Sequence, residues 1–394
     1  MEVFNIIQIV LLIFLGLATL YIFIFSLASL FYKQKIHLDN GNMKTIAVLI
    51  PGYKEDQVII EVARLALEQD YSSQLFDVVV IADSFKEETL AALKTLPIKL
   101  IEVSFKKSTK SKALNKAMAA LNRNYDIAVV LDADNVMEKG FLKKINAAFE
   151  HDFIAVQGHR TAKNTNNSWA ILDAISEEIN NNIFRKGHRV LGLSSAIIRS
   201  GMAFRYNYFK SLMLTVTAIG GFDKEIELKM LKEGRKIVYL DDALVFDEKI
   251  QKAEVFGNQR RRWLSAQFHY FRKDFLSAVK DLIVKGNVDY FDKAIQFIQP
   301  PRTLLLGAVT LFSAGFVLAN YFIANQNVYS MYWIVLVIAC VLSFVFSVPR
   351  SFYTLKTLIA LASLPKGIFI MLSSLFKIKG ANKTFIHTQH TTHF

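Results

Sequence analysis

From Ile6 to Tyr32 the chain carries no charged side chain, a run longer than the roughly 20 residues an α-helix needs to cross a bilayer. No other feature restricts the fold as much, because backbone in hydrocarbon must satisfy its own hydrogen bonds and is therefore helical. A cleaved secretion signal fits poorly: the run is too long, only Glu2 precedes it, and no small-residue cleavage site closes it. Lys33, Lys35 and His37 follow the run, so the positive-inside rule puts the N-terminus outside and the next domain in the cytoplasm.

A second stretch without Asp, Glu, Lys or Arg lies between Arg302 and Arg350, divided by Asn325-Gln326-Asn327. It predicts a transmembrane hairpin whose ends, marked by Arg302, Arg350 and Lys356, lie on the same cytoplasmic side. A last apolar segment, Thr357 to Phe376, is interrupted by Leu364-Pro365-Lys366-Gly367. Pro and Lys at mid-depth are costly, so a broken re-entrant element and a third crossing both stay open. The expected product is an integral, multi-pass protein of the cell (inner) membrane. Apolar residues are 53% of the 394, concentrated at the two ends.

The net charge of +13, from 47 Lys and Arg against 34 Asp and Glu, suits anionic lipid headgroups or a phosphorylated ligand. Nucleic acid is excluded as a partner, since the chain shows no recognised binding module or aromatic stacking stripe. Cys340 is the sole cysteine and sits in an apolar run, so no intrachain disulfide forms. Nothing in the sequence fixes the oligomeric state.

Residues 44 to 250 alternate short β-branched runs with helical spacing. Thr45 to Ile50, Asp77 to Ile81, Ile98 to Val103 and Asp126 to Leu131 read as buried strands. Helical patterns near Gln57 to Glu68, Lys110 to Asn122 and Lys139 to Glu150 separate them. This predicts an α/β fold: a doubly wound, mostly parallel sheet inserted between transmembrane helices, with ligands at the carboxyl ends of the strands. The divisions expected are an N-terminal membrane helix (1–32), a cytoplasmic domain (33–250), amphipathic interfacial helices (251–302), the hairpin (303–349), the last apolar segment (350–380) and a cytoplasmic or flexible tail (381–394).

Polar residues follow the predicted strands: Tyr53-Lys54-Glu55-Asp56, Asp83 and Asp132-Ala133-Asp134. Two carboxylates at the mouth of a sheet can hold a hard divalent cation, which neutralises a diphosphate leaving group. A helix start rich in Lys, Lys110-Ser111-Lys112, is a good anion site. Further on, Gly220-Gly221-Phe222-Asp223-Lys224-Glu225-Ile226-Glu227-Leu228 opens a helix with carboxylates favoured there by the macrodipole. Gln259-Arg260-Arg261-Arg262-Trp263 combines a planar guanidinium, which clamps diphosphate, with an indole, which stacks on sugar.

This ordered set resembles the processive family 2 glycosyltransferases, the group of cellulose, chitin and hyaluronan synthases, over nearly the whole chain. The resemblance implies a GT-A-like nucleotide-sugar domain and inverting transfer from a UDP-sugar, with Mg2+ or Mn2+ as cofactor. It places Pro51, Tyr53, Glu55, Asp83, Lys112 and Asp132 on the nucleotide, and Asp134 with Asp132 on the metal. Lys54 stands where the family more often has Asn. Gly201 and Met202 fall in an acceptor-site loop, and Gln259, Arg262 and Trp263 in the family's Gln-X-X-Arg-Trp motif, between pyrophosphate and acceptor. Counting back from Glu227-Leu228 puts Glu225 at the catalytic base, where the family has Asp, with Asp223 as rival. Thr384-Phe385-Ile386-His387-Thr388 is a loose variant of a tail that closes over the donor. Two acceptors stay open: a growing polysaccharide, coupled to export, or a lipid such as a polyprenyl phosphate or sphingolipid.

Overall fold

The computed structural model describes residues 2–34, 41–218, 220–324 and 327–377. Lys35, His37 and the predicted tail 381–394 lie outside the described residues. After α1 (Glu2–Ser29) come β1 (Ile46–Tyr53), α2 (Ile59–Leu67), β2 (Phe76–Asp83), α3 (Glu87–Lys94), β3 (Lys99–Val103), α4 (Lys110–Ala120) and β4 (Ile127–Val130). The chain continues through β5 (Val136–Met137), α5 (Phe141–Ala148), β6 (Ala155–Ala162) and α6 (Ser168–Asn181). A π-helical turn (Asn182–Gly187) then leads into α7 (His188–Val190), followed by β7 (Met202–Arg205), α8 (Tyr206–Leu214), α9 (Phe222–Lys232) and β8 (Ile237–Asp247).

All eight strands join one sheet in the order β3-β2-β1-β4-β7-β6-β8-β5. Strands β1 to β4 are mutually parallel, and β6 and β8 run with them. Only β7 and β5 are reversed among the described strands, so the sheet is mixed but mostly parallel. Alternation along β1 explains why both faces are covered. Ile46, Val48 and Ile50 pack against Val62 of α2 and Phe141 and Ile145 of α5. Ala47 and Leu49 point the other way, against Leu114 and Ala117 of α4 and Phe209 of α8. Each fully buried Ile, Val, Leu or Phe among these contributes about 1.5–3 kcal/mol.

Residues 253–298 form an antiparallel helix pair, α10 (Ala253–Lys285) and α11 (Val288–Ile298). Gly286, at φ +65°, closes α10. Tyr290, Ala294 and Phe297 of α11 pack on Leu228 and Leu231 of α9, so the pair is docked on the α/β domain.

Among the described residues three helices are long and apolar enough to cross a membrane: α1, α12 (Arg302–Ala319, continuing to Phe322) and α13 (Asn327–Ser347). The last apolar segment is a bent pair, α14 (Leu355–Leu361) and α15 (Leu364–Phe376), meeting at 44°, and makes a fourth crossing if counted as one span. Pro365 sits in the first turn of α15, where its missing N–H costs no helical hydrogen bond. Leu15, Ile22 and Phe25 of α1 pack with Trp333, Leu336 and Cys340 of α13 and with Ile175 and Ile179 of α6. Val3, Ile6, Val10 and Leu17 on the opposite face stay exposed, as suits a lipid-facing surface. Inside this bundle Gln8 Oε1 accepts from Asn320 Nδ2 at 2.8 Å and Trp333 Nε1 at 3.1 Å, polar contacts that tie apolar helices together. Gly187 lets α1 close onto the π-helical turn: a Cβ there would lie 2.1 Å from the Phe25 carbonyl oxygen. Through α6 and this turn the α/β domain is joined to the long apolar helices.

Candidate active site

The parallel register sets Tyr53 beside Asp83 at the carboxyl ends of β1 and β2. Just beyond them the backbone is strained. Lys54 and Ser84 adopt φ values of 57° and 60°, a left-handed conformation costing a non-glycine residue about 1–2 kcal/mol. Lys54 N donates to the Asp83 carbonyl at 3.1 Å and Ser84 Oγ donates to the Asp83 carboxylate at 3.0 Å. These bonds hold the turns against that cost and fix Asp83, which is buried. A Cβ at Gly52 would lie 2.7 Å from the Phe85 ring, so the ring would have to move to admit one.

Two residues past β4, Asp132 is held by its own backbone, whose N–H donates to Ser200 Oγ at 2.9 Å. Lys110 Nζ bonds one oxygen of its carboxylate and also donates to the Arg199 carbonyl at 2.8 Å. The Arg199 guanidinium stands 4.0 Å from the other oxygen. Burial alone would raise the Asp132 carboxyl; the charges of Lys110 and Arg199 more than offset it and hold it below the ordinary carboxylate range. The lysine that reaches the site is therefore Lys110. Lys112 is exposed, its Nζ bonded to the Lys107 carbonyl at 3.0 Å, while its backbone N–H is spent on the α4 cap, Thr109 Oγ1.

The carboxylates of α9 also separate. Glu225 Oε2 accepts from the backbone N–H of Thr217 at 3.1 Å and of Ala218 at 2.8 Å, with Lys229 at 3.7 Å. It holds the preceding loop and does not line the cavity, whereas Asp223 does. Glu227 is buried against Lys293 at 2.8 Å. Gly201 and Met202, expected in an acceptor loop, are framework: Gly201 bonds the Val130 carbonyl and receives Gly158 N–H, and Met202 is fully buried in β7. Gly201 has φ +68°, a turn that sets the preceding Arg199-Ser200 pair on Asp132.

The Gln-X-X-Arg-Trp motif lies near the start of α10, a 33-residue helix. Gln259, Arg262 and Trp263, at i, i+3 and i+4, share one face and line the cavity with Arg260. Arg260 Nη2 donates to Asp173 at 2.8 Å, its guanidinium 4.6 Å from the Phe256 ring and 4.4 Å from the Trp263 ring. This contact fixes the indole.

All of these ends open on one cavity of about 1110 Å³. Pro51, Tyr53, Glu55, Asp83, Lys110, Asp132 and Asp134 line it together with Asp223 and the α10 motif. Side chains of α12 to α15 line it as well. Among the described residues no three His, Cys, Asp or Glu side chains converge as a metal cage. Asp132 and Asp134 suit a different arrangement, in which one or two carboxylates hold Mg2+ or Mn2+ and substrate phosphates complete the shell.

A mixed, mostly parallel sheet with acidic residues at its strand ends and Lys110 of the α4 start on Asp132 is the arrangement of a GT-A-like, nucleotide-binding fold. The sequence profile described as "Glycosyltransferase like family 2" matches residues 44–266, more than half of the chain. The chain belongs to this family and is a glycosyltransferase that uses a nucleotide-sugar donor. No curated protein matches it. Among solved structures it is similar to the mannosyltransferase PcManGT from Pyrobaculum calidifontis in complex with GDP-Man and Mn2+, at 17% identity and TM-score 0.52, covering 86% of this chain and 98% of that one. It also matches S. aureus TarS 1–349 in complex with UDP-GlcNAc, at 15% identity and TM-score 0.42, covering 84% and 92%.

Sequence reasoning named Lys110 only as part of the basic helix start, and it missed Arg199 and a buried ionic cluster around Arg160, Glu177, Asp247 and Lys249. Lys110 was within reach, being the first residue of the predicted helix. The cluster carries no motif spacing, because its members come from β6, α6 and the end of β8.

Proposed function

We propose that the chain is an inverting glycosyltransferase whose donor, a UDP-sugar, lies at the Pro51 to Asp134 end of the cavity while the acceptor enters from the membrane end past Trp263. The observation that carries this reading is the single cavity lined by the strand-end carboxylates, Asp223 and the Gln259 to Trp263 face. Tyr53 and Asp83 flank the base, and Lys110 orients Asp132 toward the nucleotide. Asp134, with Asp132, would hold Mg2+ or Mn2+, and the cation would supply charge neutralisation to a diphosphate leaving group. Arg262 and Arg199 add positive charge on the same side. Asp223 takes the proton from the acceptor hydroxyl, whose oxygen bonds to the anomeric carbon as the bond to the diphosphate breaks and its electron pair leaves with UDP. Glu225 keeps the loop at 217–218 in place for this step.

The catalytic domain faces the cytoplasm of a cell (inner) membrane in this reading, from the placement of Lys33, Arg302, Arg350 and Lys356. For the acceptor, the Gln-X-X-Arg-Trp motif favours a polysaccharide extended processively and coupled to export. The apolar side chains along the membrane end of the cavity favour a second reading, single transfer to a lipid.

The test is a screen of purified enzyme against UDP- and GDP-sugars, with Mg2+, Mn2+ or a chelator. One UDP-sugar is expected to be turned over, with activity lost on chelation and restored by either cation. Turnover of GDP-sugars alone would overturn the UDP assignment, and full activity in chelator would overturn the metal assignment.

A further inference from the structure

Both oxygens of the Asp132 carboxylate already meet a cation. Lys110 bonds one, and the Arg199 guanidinium stands 4.0 Å from the other. The two cations are held differently. Lys110 is 17% exposed and is fixed a second time, at the Arg199 carbonyl. The backbone around Arg199 is pinned as well: Ile198 N–H donates to Gln157 Oε1 at 2.9 Å, Ser200 Oγ accepts from Asp132 N–H, and Gly201 N–H donates to the Val130 carbonyl at 2.9 Å. The Arg199 side chain is not pinned. It is 40% exposed, lines the cavity and makes no hydrogen bond among the described residues. Arg262 of α10 lines the same cavity. Burial first, then the charges of Arg199 and Arg261, push its guanidinium below the ordinary range, so Arg199 and Arg262 act on each other as like charges.

A carboxylate oxygen cannot serve a guanidinium and a divalent cation together without forcing two positive charges close to each other. For Asp132 to join Asp134 in holding Mg2+ or Mn2+, one of its two cations has to yield, and Arg199 is the one with no hydrogen bond to break. We propose that Arg199 has two alternative partners, Asp132 and the diphosphate of the donor, and that exchanging the first for the second opens Asp132 to the divalent cation. The diphosphate draws Arg199 away for two reasons. A guanidinium takes phosphate through two parallel hydrogen bonds, and an anion placed near Arg199 and Arg262 relieves their mutual repulsion. Arg199 thus touches the diphosphate directly and acts on the cation through Asp132. Nucleotide and cation then favour each other by more than the direct contact between them, and the coupling is reciprocal. This rests on the reading of the donor end given above.

The test is a binding cycle on the full-length enzyme in nanodiscs. Mn2+ binding is followed by electron paramagnetic resonance with and without UDP, and UDP and uridine binding by calorimetry in Mn2+ and in chelator. In Arg199→Gln, Mn2+ without nucleotide is expected to bind about fivefold more tightly, the scale of a half-exposed ion pair removed from Asp132. UDP is expected to bind about tenfold more weakly in Mn2+ but only about twofold more weakly in chelator, as the lost charge-assisted contact and the closed cycle require. Uridine, which lacks the diphosphate, should bind as it does to wild type. Arg199→Lys keeps the charge without the planar fork, so it should keep Mn2+ binding weak and still lose part of the UDP affinity. Unchanged nucleotide-free Mn2+ binding in Arg199→Gln would overturn the proposal. So would a UDP loss of equal size in Mn2+ and in chelator, which makes Arg199 a plain phosphate contact, or a parallel loss of uridine, which means a damaged site. Should Arg199→Gln fail to fold, Arg199→Lys decides, and wild-type UDP affinity in that variant overturns the exchange. Wild-type enzyme that binds neither UDP nor Mn2+ refutes the donor-end reading itself.

Discussion

Asp223 and Glu225 are two residues apart at the start of α9, and the helix turns their side chains about 200° from each other. One faces the cavity and the other is anchored by two backbone N–H groups. Asp223→Asn is expected to cut turnover by about 10²–10⁴-fold with little change in donor binding. Glu225→Gln retains an oxygen for the loop and is expected to lose far less. Single-turnover assays on both, with nucleotide affinity measured in parallel, decide the matter; near-normal turnover in Asp223→Asn with none in Glu225→Gln would return the base to Glu225. The same geometry explains Lys110 and Lys112. Both were visible in the sequence as a basic helix start, but which one enters the site depends on how α4 is rotated. That rotation is set by Ala113, Leu114 and Ala117 packing on the sheet.

At the scale of elements, the four strands predicted between 45 and 131 and the helices between them are present with shifts of a few residues. Their periodicity was enough to find them. The reversed strands β7 and β5 were not legible, because strand direction depends on how a connection crosses the sheet and not on side-chain pattern. His159 of β6 shows what such pairing creates. Its ring bonds Asp241 of β8 and Glu178 of α6, both at 3.0 Å. Burial disfavours the charged imidazole, yet the bonds to Asp241 and Glu178 outweigh it and lift its pKa from 6.5 to about 9. A folded-state pKa above the unfolded one stabilises the protein fully below pH 6.5, and that contribution is lost as pH rises through about 9. The shift corresponds to on the order of 3 kcal/mol. Melting temperature in detergent should fall between pH 6.5 and 9.5, and His159→Gln should remove most of this dependence. An unchanged pH profile in that variant would refute the linkage.

The whole molecule couples the α/β domain to the long apolar helices through α6, the π-helical turn and α11. Tyr21 of α1 donates to Asp292 of α11 at 2.7 Å, and Asp292 lies 3.1 Å from His188. The orientation can be read by labelling. Cys340 is fully buried, so background reaction with a membrane-impermeant maleimide should be low. Glu2→Cys is expected to label in intact cells, and Glu88→Cys, exposed in the first turn of α3, only after permeabilisation. The reverse pattern would invert the topology.

By itself the sequence determined the long apolar helices, the α/β alternation and the family motifs, because each depends on residues close together in the chain. An uncharged apolar run of this length dictates a helix long enough to span a bilayer, and short apolar runs with helical spacing between them dictate strands and helices. Tertiary structure alone decided which carboxylate of α9 and which lysine of α4 face the cavity, and that Gly201 and Met202 are framework. It also assembled the ionic cluster from β6, α6, the end of β8, α10 and α12. These outcomes depend on the rotation of each element about its axis and on contacts between distant segments, which packing fixes and local pattern does not encode.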